Sequence, residues 1–78
     1  MVAKTNRKIS LYNGDELAYK IAVNSLTSNR EVLRIMDSEM RRMPLITHAL
    51  VRDAGDKQWY FERHSSWWQR LKFMLLAR

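Results

Sequence analysis

The chain has 78 residues, a formal net charge of +6 and no cysteine. A length of this order makes one domain with little stability in reserve, and neither a disulfide nor a thiolate-held metal can reinforce it. The N-terminal MVAKTNRK lacks the apolar stretch of a secretion signal and no apolar run is long enough to span a bilayer, so a soluble cytoplasmic protein is expected and a membrane partner is not.

The charge is unevenly placed. Lys4, Arg7 and Lys8 stand without an acid in residues 1–14, and Arg63, Arg70, Lys72 and Arg78 stand without one from residue 63 onward. Between them seven basic and eight acidic side chains nearly cancel. Basic ends on a near-neutral body either attach to an acidic partner, protein or nucleic acid, or keep a small apolar protein dissolved.

Residues 1–7 read as a flexible basic arm and residues 8–78 as a single domain. The stretch KISLYNGDELAYKIAV fits two patterns. As a hairpin, Ile9 and Leu11 alternate, Asn13-Gly14 forms a type I′ turn, and Leu17, Tyr19, Ile21 and Val23 alternate without a break. As a helix, Asn13 caps, Glu16 completes a capping box, and Leu17, Ala18, Ile21 and Ala22 share a face. The longer alternation together with Asn-Gly favours the hairpin.

Ser28 to Pro44 carries a complete helix signature. Ser28 and Glu31 form a capping box in which the Glu31 carboxylate reaches back to the Ser28 amide. Val32, Leu33, Met36, Met40 and Met43 recur at steps of three and four on one face. Asp37 stands four residues before Arg41, the spacing of a helical ion pair, while Pro44 disfavours helical geometry at Met43 and ends the run.

Beyond Pro44, LITHALVR and QWYFERHS read as two strands joined by a turn at Gly55. Ser65-Ser66 then caps WWQRLKFMLLAR, where Trp67, Trp68, Leu71, Met74 and Leu75 form a broad apolar face. The order proposes an α+β domain, ββαββα, with an antiparallel sheet and both helices on one face; a helical first segment would give βααββα.

No chemistry-bearing constellation emerges. His48 and His64, expected on different strands, have no ligand spacing to nearby acids, and no nucleophile context or nucleotide-binding loop occurs. The expectation is a non-enzyme without cofactor or metal. The run DAGDKQWYFERHSSWWQRLKFMLLAR, the last third of the chain, resembles the closing strand-turn-strand-helix of some phospholipase-D-like proteins, which often carry a Trp-Trp-x-Arg segment near their end. The His-x-Lys motif of that family's chemistry is absent from the chain, so the resemblance implies no activity here.

Adjacent tryptophans point about 100° apart on a helix, so one core cannot take both rings and some ring area must reach the surface. Arg63, Trp67, Trp68, Arg70, Lys72 and Met74 are of types that suit an interface, the aromatics, arginines and methionine by enrichment and the lysine by charge. The leading expectation is a small regulator or inhibitor, of the kind mobile elements encode, that docks this helix on a larger protein with an acidic surface. A second copy of the chain is another candidate to cover it. The alternative is nucleic-acid binding through Lys4, Arg7, Lys8, Trp59, Phe61 and Arg63, with the aromatic strand as a stacking platform.

Overall fold

Asn13 and Glu16 face each other across a two-residue turn, and this hairpin decides the order of the elements. The computed structural model describes residues 7–64 and 67–78. In chain order these contain β1 (Arg7–Asn13), β2 (Glu16–Val23), α1 (Asn29–Arg42), β3 (His48–Arg52), β4 (Gln58–Glu62) and α2 (Trp67–Leu76). The strands form one antiparallel sheet in the order β2-β1-β3-β4. The order is ββαββα, and the helical alternative for residues 13–24 is excluded by the β1–β2 ladder.

Three local expectations are corrected. The turn residues are Gly14-Asp15, with the left-handed φ of +61° at Gly14 alone. Glycine in the first central position fits a type II′ turn, where a side chain would be strained. A register shift then leaves Tyr12 opposite Leu17 while Leu11 stays opposite Tyr19. This bulge breaks the expected alternation and moves Leu17 to the other face of the sheet. Arg7, expected in the arm, is the first residue of β1 and is buried. The rest of that arm, Lys4 included, and the expected Ser65-Ser66 cap lie outside the described residues.

Alternation along the strands builds a core on one side only. Ile9, Leu11, Ala49, Val51, Trp59 and Phe61 point inward, where they join Val32, Leu33, Met36 and Met40 of α1 and Phe73 of α2 in one buried cluster. The side chain of Ser28 accepts from the Glu31 amide at 3.2 Å. The Glu31 carboxylate does not reach back, because Arg34 binds it at 2.6 Å. Met43 leaves helical geometry at φ −122° and ψ 88°, as the proline after it requires.

The β3–β4 turn is organised by Asp53, a carboxylate with 2% exposure. Its Oδ1 accepts from the amides of Gly55 (2.8 Å) and Lys57 (3.1 Å), and its Oδ2 from Trp59 Nε1 (3.0 Å) and the Arg78 amide (3.2 Å). Asp56, not Gly55, takes the left-handed φ of 68°, a conformation aspartate tolerates better than most residues. Burial alone pushes the Asp53 carboxyl up, but hydrogen bonds from Trp59, Arg78, Lys57 and Gly55 outweigh it and hold it below its ordinary value.

Replacing Asp53 by Asn puts an NH2 group against donors, and the expected loss in urea unfolding is about 3 kcal/mol at neutral pH. A carboxyl depressed in the folded state stabilises fully above its unfolded pKa of about 3.9 and loses that contribution as pH falls through the lower folded value. The stability gap between wild type and Asp53→Asn should therefore narrow in titrations carried to about pH 3; a gap independent of pH would remove the carboxylate from this role.

Candidate protein-docking face

Helix α2 is attached to its own domain by one buried ring and a set of polar clamps. Phe73 is fully buried and meets Trp59 and Phe61 edge-on, at centroid distances of 5.5 and 5.6 Å. At the C-terminal end, Asn29 at the start of α1 points its Nδ2 at the carbonyls of Ala77 (3.0 Å), Met74 (3.2 Å) and Phe73 (3.3 Å). The Phe73 carbonyl also accepts from the Ala77 amide at 2.9 Å. Carbonyls at a helix end generally lack further partners within the helix and take them from side chains such as the Asn29 amide. Arg7 donates to Asn29 Oδ1 and so fixes the amide's orientation. Burial lowers the pKa of the Arg7 guanidinium and the Asp53 charge pulls it back up. Ala54 N donates to the main-chain oxygen of Arg78 at 2.7 Å.

Toward the N-terminal end of α2, Arg70 binds Asp37 of α1 through two hydrogen bonds of 2.6 and 2.8 Å. The Asp37 hydrogen bond is the chief reason that the Arg70 pKa lies above its ordinary value. Gln69 Nε2 donates to the Tyr60 carbonyl at 3.0 Å.

With Phe73 and Ala77 turned to the core, helical spacing fixes what faces outward. Trp67, Trp68, Leu71, Met74 and Leu75 fall within an arc of about 120° on the opposite side. Trp67 is 68% exposed, Trp68 56% and Leu75 73%. The two indoles pack edge to face at 5.3 Å and form a ridge. The widest apolar face of α2 therefore looks away from the sheet, and the chain's own core covers neither tryptophan.

The expected interface residues separate into two groups. Trp67, Trp68, Lys72 and Met74 are exposed on α2. Arg63 and Arg70, expected to pair with a partner's acids, are engaged within the chain. Arg63 donates to the carbonyls of Met40 (2.6 Å), Ile46 (2.6 Å) and Met43 (3.3 Å), capping the C-terminal end of α1 where a cation is favoured. Arg70 has taken Asp37 from its expected helical partner Arg41, which is left exposed.

The expected nucleic-acid set does not assemble. Trp59 and Phe61 are core residues and offer no face for stacking, Arg7 is buried on the inner side, and Arg63 is the α1 cap. Of the described members Lys8 and Arg63 are half exposed, and Arg63 is already engaged by carbonyls. Alternation placed Trp59, Phe61 and Arg63 on one face correctly, but that face is the one the helices cover. His64, expected on a strand, lies in the turn after β4.

A cleft of about 340 Å³ opens between α1 and the start of α2, lined by Asp37, Met40, Arg41, Arg63, His64 and Arg70. Its three guanidinium groups face one carboxylate. Among the described residues no group of three His, Asp or Glu side chains gathers as a metal site, and no helix is long and apolar enough to cross a membrane. No family model, curated protein or solved structure matches the chain.

Sequence reasoning missed Asn29 and Asp53, the residues that hold α2. Asp53 had a local signal, the side-chain-accepting turn Asp-Ala-Gly-Asp. Asn29 had none, because its partners lie more than 20 positions away, Arg7 on one side and the end of α2 on the other.

The division between anchor and free face is measurable. Phe73→Ala should cost about 3–5 kcal/mol in urea unfolding, whereas Trp67→Ala and Trp68→Ala should each stay within about 1 kcal/mol of wild type. Equal losses at all three positions would mean that the indoles belong to the core.

Proposed function

We propose that the protein is a non-catalytic interaction module that seats the outer face of α2 in an apolar pocket of a larger protein. It acts as a small regulator or inhibitor, by occupying that pocket. What supports this reading is a helix fastened by polar clamps and one phenylalanine, with both indoles left on the outside. An apolar arc of this kind is the usual mark of a surface that another molecule covers.

Charge selects the class of partner. Residues 67–78 contain Lys72 and Arg78 beside Arg70 and no acid, and the neighbouring cleft adds Arg41 to two engaged arginines. A two-fold contact between copies would bring this cationic face onto itself, and like charges oppose such a contact. A heterologous pocket rimmed by carboxylates has the matching potential. The rings fill the pocket and exclude water, while Lys72 and Arg41 pair at the rim, where they govern approach rate more than affinity.

The test places the photo-crosslinker p-benzoylphenylalanine at Leu75, with Leu26 as a control position on the exposed β2–α1 connection. Crosslinking from Leu75 and not Leu26 to a peptide of a different protein that contains Asp or Glu is expected. Binding to that protein should weaken at least about 30-fold in a folded Trp67→Ala/Trp68→Ala variant. Adducts with a second copy of the chain alone, with anionic vesicles alone, or unchanged binding by the variant would overturn the proposal.

A further inference from the structure

The face of the sheet turned away from the helices has a different character. It presents Lys8, Ser10 and Tyr12 of β1, Leu17, Lys20 and Ala22 of β2, His48, Leu50 and Arg52 of β3, and Gln58, Tyr60 and Glu62 of β4. At one end Lys8 and Arg52 stand directly opposite each other on neighbouring strands. Lys20 lies one row further along, opposite Ser10. Like charges directly opposite on a sheet destabilise it. Among the described residues their only carboxylate contact is Asp56, 3.9 Å from Arg52 Nε and 83% exposed. That Nε is buried and makes no hydrogen bond to a described residue. Lys8, Ser10, Lys20, Arg52 and Gln58 line a depression of about 170 Å³, with three cations and no acid.

At the other end of the same face three rings form a row. Tyr12 and His48 stack in parallel at 5.0 Å, and His48 meets Tyr60 at 5.3 Å and 35°. Tyr60 is 47% exposed at the end of the row. Glu62 lies beyond it, opposite His48. Along β1 Lys8 and Tyr12 are four residues apart, or about 13 Å, while Tyr60 stands in register with Lys20, across Leu50 and Ser10.

We propose that this outer sheet face binds single-stranded nucleic acid, with phosphates over Lys8, Lys20 and Arg52 and a base extending the stack at Tyr60. A free phosphate would use the cations but leave the rings idle. A duplex hides the flat faces of its bases and could use only the cations. Extended single strands offer both chemistries at once, and base stacking on aromatic side chains tolerates any sequence. This site shares only Lys8 with the set expected from the sequence, and it is independent of α2, which lies across the sheet.

The probe is fluorescein-labelled oligothymidine or oligouridine of roughly 12 nucleotides, and the matching duplex, read by fluorescence anisotropy on the intact protein. Three phosphate contacts predict a roughly 20-fold loss of single-strand affinity between about 50 and about 200 mM salt. In Lys20→Gln/Arg52→Gln that loss should shrink to roughly 3-fold. Tyr60→Ala should weaken binding roughly 5- to 100-fold with the salt dependence kept. A preference between the two oligomers would say whether RNA or DNA is taken and supports the site either way.

Several results overturn the site. They are no anisotropy change at low salt, duplex binding as tight as single-strand binding, or an unaffected Tyr60→Ala. A loss produced by Lys72→Gln/Arg78→Gln in place of the sheet variant would equally place the binding elsewhere. Each variant is first matched to wild type in thermal unfolding; Lys8→Gln/Lys20→Gln replaces the sheet variant and Tyr60→Leu replaces Tyr60→Ala should either fail.

Discussion

The carboxylate of Asp53 is where the turn, the core and the C-terminal helix meet. It closes the β3–β4 connection through two main-chain amides, holds the core indole of Trp59 by its N–H, and binds the amide of Arg78 just past α2. A buried carboxylate is tolerated only when donors replace the water it has lost, and here four do so. Because those donors come from separate elements, satisfying one charge also positions a hairpin and a helix. Without that anchor α2 would rest on Phe73, on the Asn29 amide, on the Gln69 and Arg78 main-chain contacts and on the partly exposed Arg70–Asp37 pair.

This mode of attachment explains how an amphipathic helix comes to face the wrong way. Ordinarily the widest apolar stripe of a helix selects the side that is buried. In α2 the rotation is set by directional bonds at both ends, from Asn29 and Asp53 at one and from Asp37 and the Tyr60 carbonyl at the other. Turning the tryptophans inward would break these bonds and withdraw Phe73 from the space between Trp59 and Phe61. The rings of Trp59, Phe61 and Phe73 already fill that layer, and two more indoles would overpack it.

Local signals were legible and long-range ones were not. The start, buried face and end of α1 could be read because Ser28, the Val32–Met40 spacing and Pro44 act within a turn or two of themselves. The element order followed from two glycine turns and from helical signatures after each hairpin. The register of the first hairpin is not legible, since the bulge beside Leu11 and Tyr12 shows only in the pairing of β1 with β2. Asp37 was assigned to Arg41 by spacing and taken by Arg70 through the fold. Arg63 looked like an interface cation because nothing in its neighbourhood shows that the end of α1 will lie beside it. The apolar arc of α2 was visible as a pattern, but its direction was set by Asn29, Asp53 and Phe73. Lys8, Lys20 and Arg52 are scattered over 45 positions of the sequence, so charge counted by segment could not reveal a patch assembled from three strands.

Two surfaces of this small domain are arranged at a cost to its own stability. Lys8 facing Arg52 is a repulsive cross-strand pair where an acid would be favourable, and the indole ridge holds apolar area in water where polar side chains would cost nothing. Each deficit would be removed by the ligand proposed for it, a polyanion on the sheet and an apolar pocket on the helix. Anything that binds only the folded chain stabilises it in proportion to the logarithm of its concentration over its dissociation constant. The two surfaces lie on opposite sides of the sheet and share no side chain, so occupation of one leaves the other open and their stabilising effects should add. The net charge of +6 meanwhile opposes self-association through either surface, the exposed apolar ridge included.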